Sequence, residues 1–208
     1  GRLLMSYYIG MNPDKSTLYV TNTGDTAKRF TKLSLYDIMF SEKYKKAFPR
    51  IQLKYELDTK ENTQETKERR KGAILLEDRF NIVGRRGQYN ARGVGQSING
   101  LPAHLSVADD YFANYEDAQS DIIREKTVNW YAGDVHGRSQ SKSLKVTFST
   151  RYHNEDVIGY IETASAQIKE QIPDYELPEK ITFRAECVQD NEFPYDPRKK
   201  GEFLWDVY

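Results

Sequence analysis

The sequence predicts an α/β fold, and three observations carry that prediction. Short runs rich in β-branched and aromatic residues recur along the chain, separated by stretches whose apolar residues fall at helical spacing. That alternation is the pattern of an α/β domain. Two of the short runs end in polar residues, Asp109-Asp110 and Ser149-Thr150-Arg151, and ligands of open α/β sheets sit outside the carboxyl ends of strands. The chain also carries core-forming surface: 15 Tyr, 9 Phe and 2 Trp offset a hydrophobic fraction of 38%, and 208 residues suit one buried core.

The first element is a helix already under way at residue 1. Leu3, Leu4, Tyr7, Tyr8 and Met11 share one face, and Asn12-Pro13 stops it. Residues 16–22 form a short β-rich run, followed by the turn signal Thr23-Gly24-Asp25 and a helix from 26 to about 41 carrying Phe30, Leu33 and Ile38. Residues 54–71 mix both charges and hold almost no apolar anchors, which predicts a solvated excursion. Residues 73–76 and 80–83 are short apolar runs that read as a strand pair. From Gly84 to Gly100 there are too many glycines for a regular element and too many arginines for a bland linker. Residues 105–108 are a short strand, 116–131 a helix with Ile122, Ile123, Lys126, Thr127, Trp130 and Tyr131 on one side, and 144–148 a second strand. A helix follows at 154–171, then a strand at 181–188, and 193–208 is an irregular closing segment.

Lys plus Arg and Asp plus Glu both total 31, so the net charge is zero. Any contact with nucleic acid is therefore a local patch rather than a property of the whole chain. The single cysteine, Cys187, makes neither an internal disulfide nor a thiolate zinc site, and suits a reducing cytoplasm. No apolar run approaches the ~20 residues of a membrane span and no signal sequence opens the chain, so membrane insertion and secretion are disfavoured. His104, His136 and His153 lack metal-ligand spacing to one another or to Cys187.

A short apolar strand followed by two acidic residues is the Walker B pattern. The first carboxylate supports Mg²⁺ and the second orients or deprotonates an attacking water in phosphoryl transfer. Asp109 and Asp110 fit those roles, and they equally fit a turn that caps the next helix. Ser149-Thr150-Arg151 places two hydroxyls and a cation at the next strand end, where they can sense or stabilise phosphate, or where Arg151 can serve a structural ion pair.

The order of these pieces, from Gly93 to Gly159, resembles the large subunit of tailed-bacteriophage terminases, the DNA-packaging motor. It comprises Gly93-Val94-Gly95-Gln96-Ser97-Ile98-Asn99-Gly100, the Asp109-Asp110 strand, a Ser120 to Trp130 helix similar to a Ser-x-x-x-Arg-x-Lys-x-x-x-Trp pattern, and Thr150-Arg151-Tyr152-His153-Asn154-Glu155-Asp156-Val157-Ile158-Gly159. The last block resembles Thr-Arg-Trp-His-x-x-Asp-Leu-x-Gly, with Tyr152 for the usual Trp. Glu42-Lys43-Tyr44-Lys45-Lys46-Ala47-Phe48-Pro49 upstream, similar to a Tyr-x-x-x-Phe-Pro segment, and Tyr195-Asp196-Pro197-Arg198-Lys199-Lys200-Gly201-Glu202-Phe203-Leu204-Trp205 downstream extend the likeness over almost the whole chain.

The resemblance implies a P-loop NTPase-like (ASCE-type) core, a mainly parallel sheet flanked by helices, truncated at its N-terminus. Asp109 would organise Mg²⁺, Asp110 would position water, and Ser149, Thr150 and Arg151 would couple hydrolysis to DNA movement. Arg92, in the loop before the Walker B strand, would act in a neighbouring subunit's site, although some relatives carry an arginine nearer Gly100, where this chain has Asn99. ATP and Mg²⁺ are the implied cofactors of the complete protein. Double-stranded DNA, the portal protein, the small terminase subunit and further copies in a homo-oligomeric, pentameric ring are the implied partners. The implied location is the host cytoplasm, transiently at the procapsid portal vertex. No G-x-x-x-x-G-K-[ST] loop occurs in the 208 residues, and these residues do not include the acidic nuclease region that the resemblance implies beyond the ATPase part. The expectation is thus a partial ATPase domain, inactive by itself, with a non-catalytic module that binds DNA or packaging proteins as the alternative.

Overall fold

In a computed structural model the described residues are 1–53, 74–136, 139–184, 186–190 and 194–203, with side chains of β5 described from Ser143 onward. The predicted excursion at 54–71 lies outside them. The chain groups into two compact units, Gly1–Ile161 and Glu162–Tyr208.

The first unit is a mixed α/β layer. Helix α1 (Arg2–Met11) leads to β1 (Thr17–Thr21), α2 (Gly24–Phe40) and the short α3 (Glu42–Ala47). Strands β2 (Arg79–Asn81), β3 (Gln88–Gly93) and β4 (Ala103–Asp109) follow, then α4 (Tyr115–Gln119), α5 (Asp121–Trp130), a π-helical turn (Tyr131–His136), β5 (Ser139–Phe148) and α6 (Val157–Gln171). The sheet order is β2-β3-β1-β4-β5, parallel throughout except for the antiparallel β2 at one edge.

Every residue of β1 is buried, as expected of a parallel strand covered on both faces. Tyr19 joins Met5, Ile9, Ala27, Ile38 and Leu105 on the face under α1 and α2. Leu18 and Val20 join Ala108, Tyr111, Tyr131, Val135 and Val157 on the other. Each such large side chain contributes ~1.5–3 kcal/mol by leaving water, so these two layers fix the sheet and with it the positions of the strand ends.

The structure departs from the sequence reading in four places. The glycine- and arginine-rich stretch contains a regular strand, β3, pairing with both β1 and β2. Gly93 ends it for a steric reason: a Cβ there would lie 2.3 Å from the Gly24 nitrogen, so the strand end could not pass the start of α2. The helix expected over 116–131 is broken at Ser120, whose ψ of 115° turns the chain, and the carbonyls left open at the end of α4 are taken up by Arg124, from Ala118 at 2.9 Å and Gln119 at 3.3 Å. Strand β5 begins at Ser139 rather than at 144. Residues 181–184 adopt no regular structure; nearby, Glu186 forms an isolated antiparallel bridge with Phe203. Among the described residues no helix is long and apolar enough to cross a membrane.

Candidate functional site: the carboxyl edge of the sheet

Parallel register brings the strand ends together. Thr21 of β1 pairs with Gly93 of β3 and with Asp109 of β4, and Asp109 pairs with Phe148 of β5. Asp109 and Asp110 therefore stand at the end of a strand flanked on both sides, with Ser149 and Thr150 directly after the neighbouring strand. Asp110 has φ +53°, in the left-handed region that Asp and Asn tolerate better than most residues. Two hydrogen bonds hold that turn against β5: the Asp110 N–H donates to the Phe148 carbonyl at 3.0 Å, and the Thr150 N–H donates to Asp110 Oδ1 at 3.3 Å.

Asp109 is held from the opposite side. The Tyr19 hydroxyl donates to Asp109 Oδ2 at 2.8 Å, and the N-terminal ammonium of Gly1, at the start of α1, pairs with the same oxygen at 3.4 Å. Burial, and then the hydrogen bond and charge of Asp109, keep the Tyr19 phenol far above its ordinary range, so it acts as a donor. The start of α1, whose first-turn N–H groups have no intrahelical acceptor, thus lies beside Asp109.

The segment after β5 is tied down by two arginines. Arg151 Nε donates to Asp156 Oδ2 at 3.0 Å, while Oδ1 of the same buried carboxylate accepts from the Gly159 N–H at 3.0 Å and caps α6. Gly159 has to be glycine, because a Cβ would sit 1.8 Å from the Asn154 carbonyl oxygen. Arg124 reaches Glu155 at 3.2 Å, and Gln119 Nε2 donates to the Tyr152 carbonyl at 2.9 Å. Segment 150–156 is thereby bound to the α4/α5 corner. Arg151 sits in the structural ion pair that the sequence left as one of two options.

Arg92 departs from its expected place. It belongs to β3, not to the following loop, and its guanidinium is turned into its own chain: Nη1 donates to Asp78 at 2.7 Å and to the Ala91 carbonyl at 2.6 Å, Nε to the Ser97 carbonyl at 3.3 Å. A role in a neighbouring site would require this arrangement to open. The glycine-rich turn behind it is pinned as well, with Ile98 fully buried and the Trp130 indole donating to the Gln96 carbonyl at 3.2 Å. Arg85 and Arg86 precede β3 and contact Asp14, whereas Arg92 lies at its carboxyl end, so the three do not form one cluster.

Tyr19 and Arg124 were not assigned roles from sequence. Tyr19 lies 90 residues from its partner, beyond any local pattern, and Arg124 falls inside the quoted helix pattern with nothing to reveal its partners.

The donor set suits a nucleotide-bound Mg²⁺ better than a self-sufficient metal cage. Mg²⁺ in such sites takes one or two carboxylates and completes its octahedron with phosphate oxygens and water. Two adjacent carboxylates meet that need, and among the described residues no group of three or more His, Cys, Asp or Glu side chains gathers to hold a metal alone.

No family model matches the chain, and no curated protein matches it. Among solved structures, it is similar to the crystal structure of the HK97 bacteriophage large terminase, with 14% identity and a TM-score of 0.43 over 86% of this chain. The chain spans 33% of that terminase's length.

Proposed function

We propose that this chain is part of the ATPase domain of a viral DNA-packaging motor of the terminase large-subunit type, built on a P-loop NTPase-like core. The observation that carries the reading is the junction of Asp109, Asp110 and Thr150 at adjacent parallel strand ends, beside the start of α1. The motif order from Gly93 to Gly159 supports it. In the complete protein, ATP and Mg²⁺ would supply the phosphoryl group and its charge neutralisation. Asp109 would hold the cation through its carboxylate, and the first turn of α1 would offer N–H groups to phosphate oxygens. Asp110 would accept a proton from water or orient it, and its hydrogen bond from Thr150 would tell the segment after β5 whether that carboxylate has moved. Ser149 and Thr150 would pass that change toward double-stranded DNA, with portal protein, small subunit and a ring of further copies as partners.

The absence of a G-x-x-x-x-G-K-[ST] sequence favours a second reading, a non-catalytic module that binds DNA or packaging proteins. One experiment separates the two. The chain is extended at Gly1 with a strand and Walker A loop from a terminase, and ATP hydrolysis is measured with and without Asp110→Asn. The motor reading expects turnover that the substitution lowers by ~10²–10⁴, the usual weight of a general base. A folded, nucleotide-binding extended chain that never hydrolyses ATP would leave the binding module.

A further inference from the structure

We propose that Tyr19 is the positioning residue for the cation carboxylate: its phenol occupies Oδ2 of Asp109 and leaves Oδ1 as the oxygen presented to a divalent cation. This rests on the reading of Asp109 given above. In the parallel register Tyr19 stands opposite Val107, two residues before Asp109 and on the same face of the sheet. Its side chain leans along the strand to the diagonal position, where its hydroxyl meets the carboxylate at 2.8 Å.

Packing accounts for the ring but not for the hydroxyl. The ring lies in the α1/α2 layer, 5.1 Å from the ring of Phe30, and is 1% exposed. A phenylalanine would fill the same space. The hydroxyl adds one thing, a neutral donor to an acidic group at the sheet edge, and neutrality matters. An arginine in that place would close the carboxylate with its own charge, whereas a phenol fixes its orientation and leaves the negative charge for a cation. Among the described residues no Lys or Arg side chain pairs with Asp109, and Oδ1 takes no hydrogen bond. Asp110 is treated alike from the other strand, by the backbone N–H of Thr150. The N-terminal ammonium of Gly1 shares Oδ2 with the phenol at 3.4 Å, so both partners of Asp109 lie on one oxygen and Oδ1 stays open.

The test uses the chain extended at Gly1 with a strand and Walker A loop, with ADP present and Mn²⁺ as probe, bound Mn²⁺ read by the enhancement of water-proton relaxation and folding by thermal melting. Tyr19→Phe is expected to weaken Asp109-dependent Mn²⁺ binding about tenfold, the lower end of the effect of losing a partner behind a metal ligand, with the melting midpoint little changed. Wild-type affinity in Tyr19→Phe, together with loss of binding in Asp109→Asn, overturns the positioning role and leaves the cation reading standing. Binding that is absent, or that survives Asp109→Asn, overturns the cation reading and this proposal with it. A second measurement needs no Tyr19 variant: with ¹³C-labelled tyrosine, Mn²⁺ broadens the Tyr19 ring signal in wild type and not in Asp109→Asn. An unbroadened Tyr19 signal in a chain that binds Mn²⁺ through Asp109 refutes the proposal.

Discussion

Asp109 and Asp156 both sit where the chain leaves a regular run or enters one, yet one is closed on a single oxygen and the other on both. Asp156 is 2% exposed and closed by the Arg151 guanidinium on one oxygen and the Gly159 N–H on the other. Asp109 keeps about a fifth of its side chain exposed, and a phenol and the N-terminal ammonium of Gly1 share one of its oxygens while the other stays open. The difference teaches how to sort the acidic residues of this chain. A carboxylate whose charge is cancelled by an arginine serves the fold, because removing either partner strands the other in a poorly solvated place. A carboxylate held through one oxygen keeps the other to offer. Asp196 of the second unit falls in the first class, with Arg198 bonded to both its oxygens at 2.9 and 2.7 Å.

The strongest way to break this comparison is Asp156→Ala. It removes the cap of α6 and leaves Arg151, which is about one-third exposed, without its buried partner. The cap and the partly screened ion pair together give an expected loss of about 2–3 kcal/mol. Chemical denaturation of the 208-residue chain reads this directly. A loss below ~0.5 kcal/mol would mean that the closed pair does not serve the fold, and the sorting rule would lose its first class.

Arg92→Ala is next in size and sharpens the assignment of the arginines. The guanidinium is tied to Asp78, Ala91 and Ser97, with its side chain 15% exposed, so truncation is expected to cost about 1–2 kcal/mol of stability. A variant of unchanged stability that lowers turnover by ~10³ or more in the extended, ATP-hydrolysing protein would instead return Arg92 to a neighbouring subunit's site.

The residues that sequence reasoning placed well are those whose neighbours are local or whose strand is apolar. Leu105 to Ala108 announced β4 and hence Asp109-Asp110; the apolar spacing of α1 gave its span, and Asn12-Pro13 its end. Strand β3 was hidden because Asn90 and Arg92 occupy positions a buried strand usually gives to apolar residues, and flanking glycines mimic a loop. Asn90 is fully buried, with both polar side-chain atoms unpartnered among the described residues, so nothing in its type foretold a core position. The break at Ser120 depends on Arg124 folding back over α4, and the anchoring of Asp109 on a tyrosine five elements upstream. Both are tertiary contacts that no window of sequence contains. The motif order placed Asp109, Asp110 and Thr150 at neighbouring strand ends, but it carried no information on which oxygens are already taken.

The smallest expected effect is an acid dependence confined to the second unit, and it follows from the Asp196 pair. Hydrogen bonds from Arg198 hold the Asp196 carboxyl below its ordinary value of 3.8. A carboxylate whose folded pKa is depressed binds protons more readily in the unfolded chain. Its contribution to stability is therefore complete above that ordinary value and is lost as pH falls through the folded one. The amides of Cys187 and Gly201 are suitable reporters, since each is hydrogen-bonded beside this pair, to the Glu202 carbonyl at 2.9 Å and the Cys187 carbonyl at 2.7 Å. Their hydrogen-exchange protection, corrected for the intrinsic pH dependence of exchange, should decline from about pH 4 downward in wild type and stay flatter in Asp196→Asn. Asp109 belongs to the other unit, so Asp109→Asn should leave that decline in place. Equal acid dependence in wild type and Asp196→Asn would show that the Arg198 pair, although closed in geometry, adds nothing to the stability of its unit.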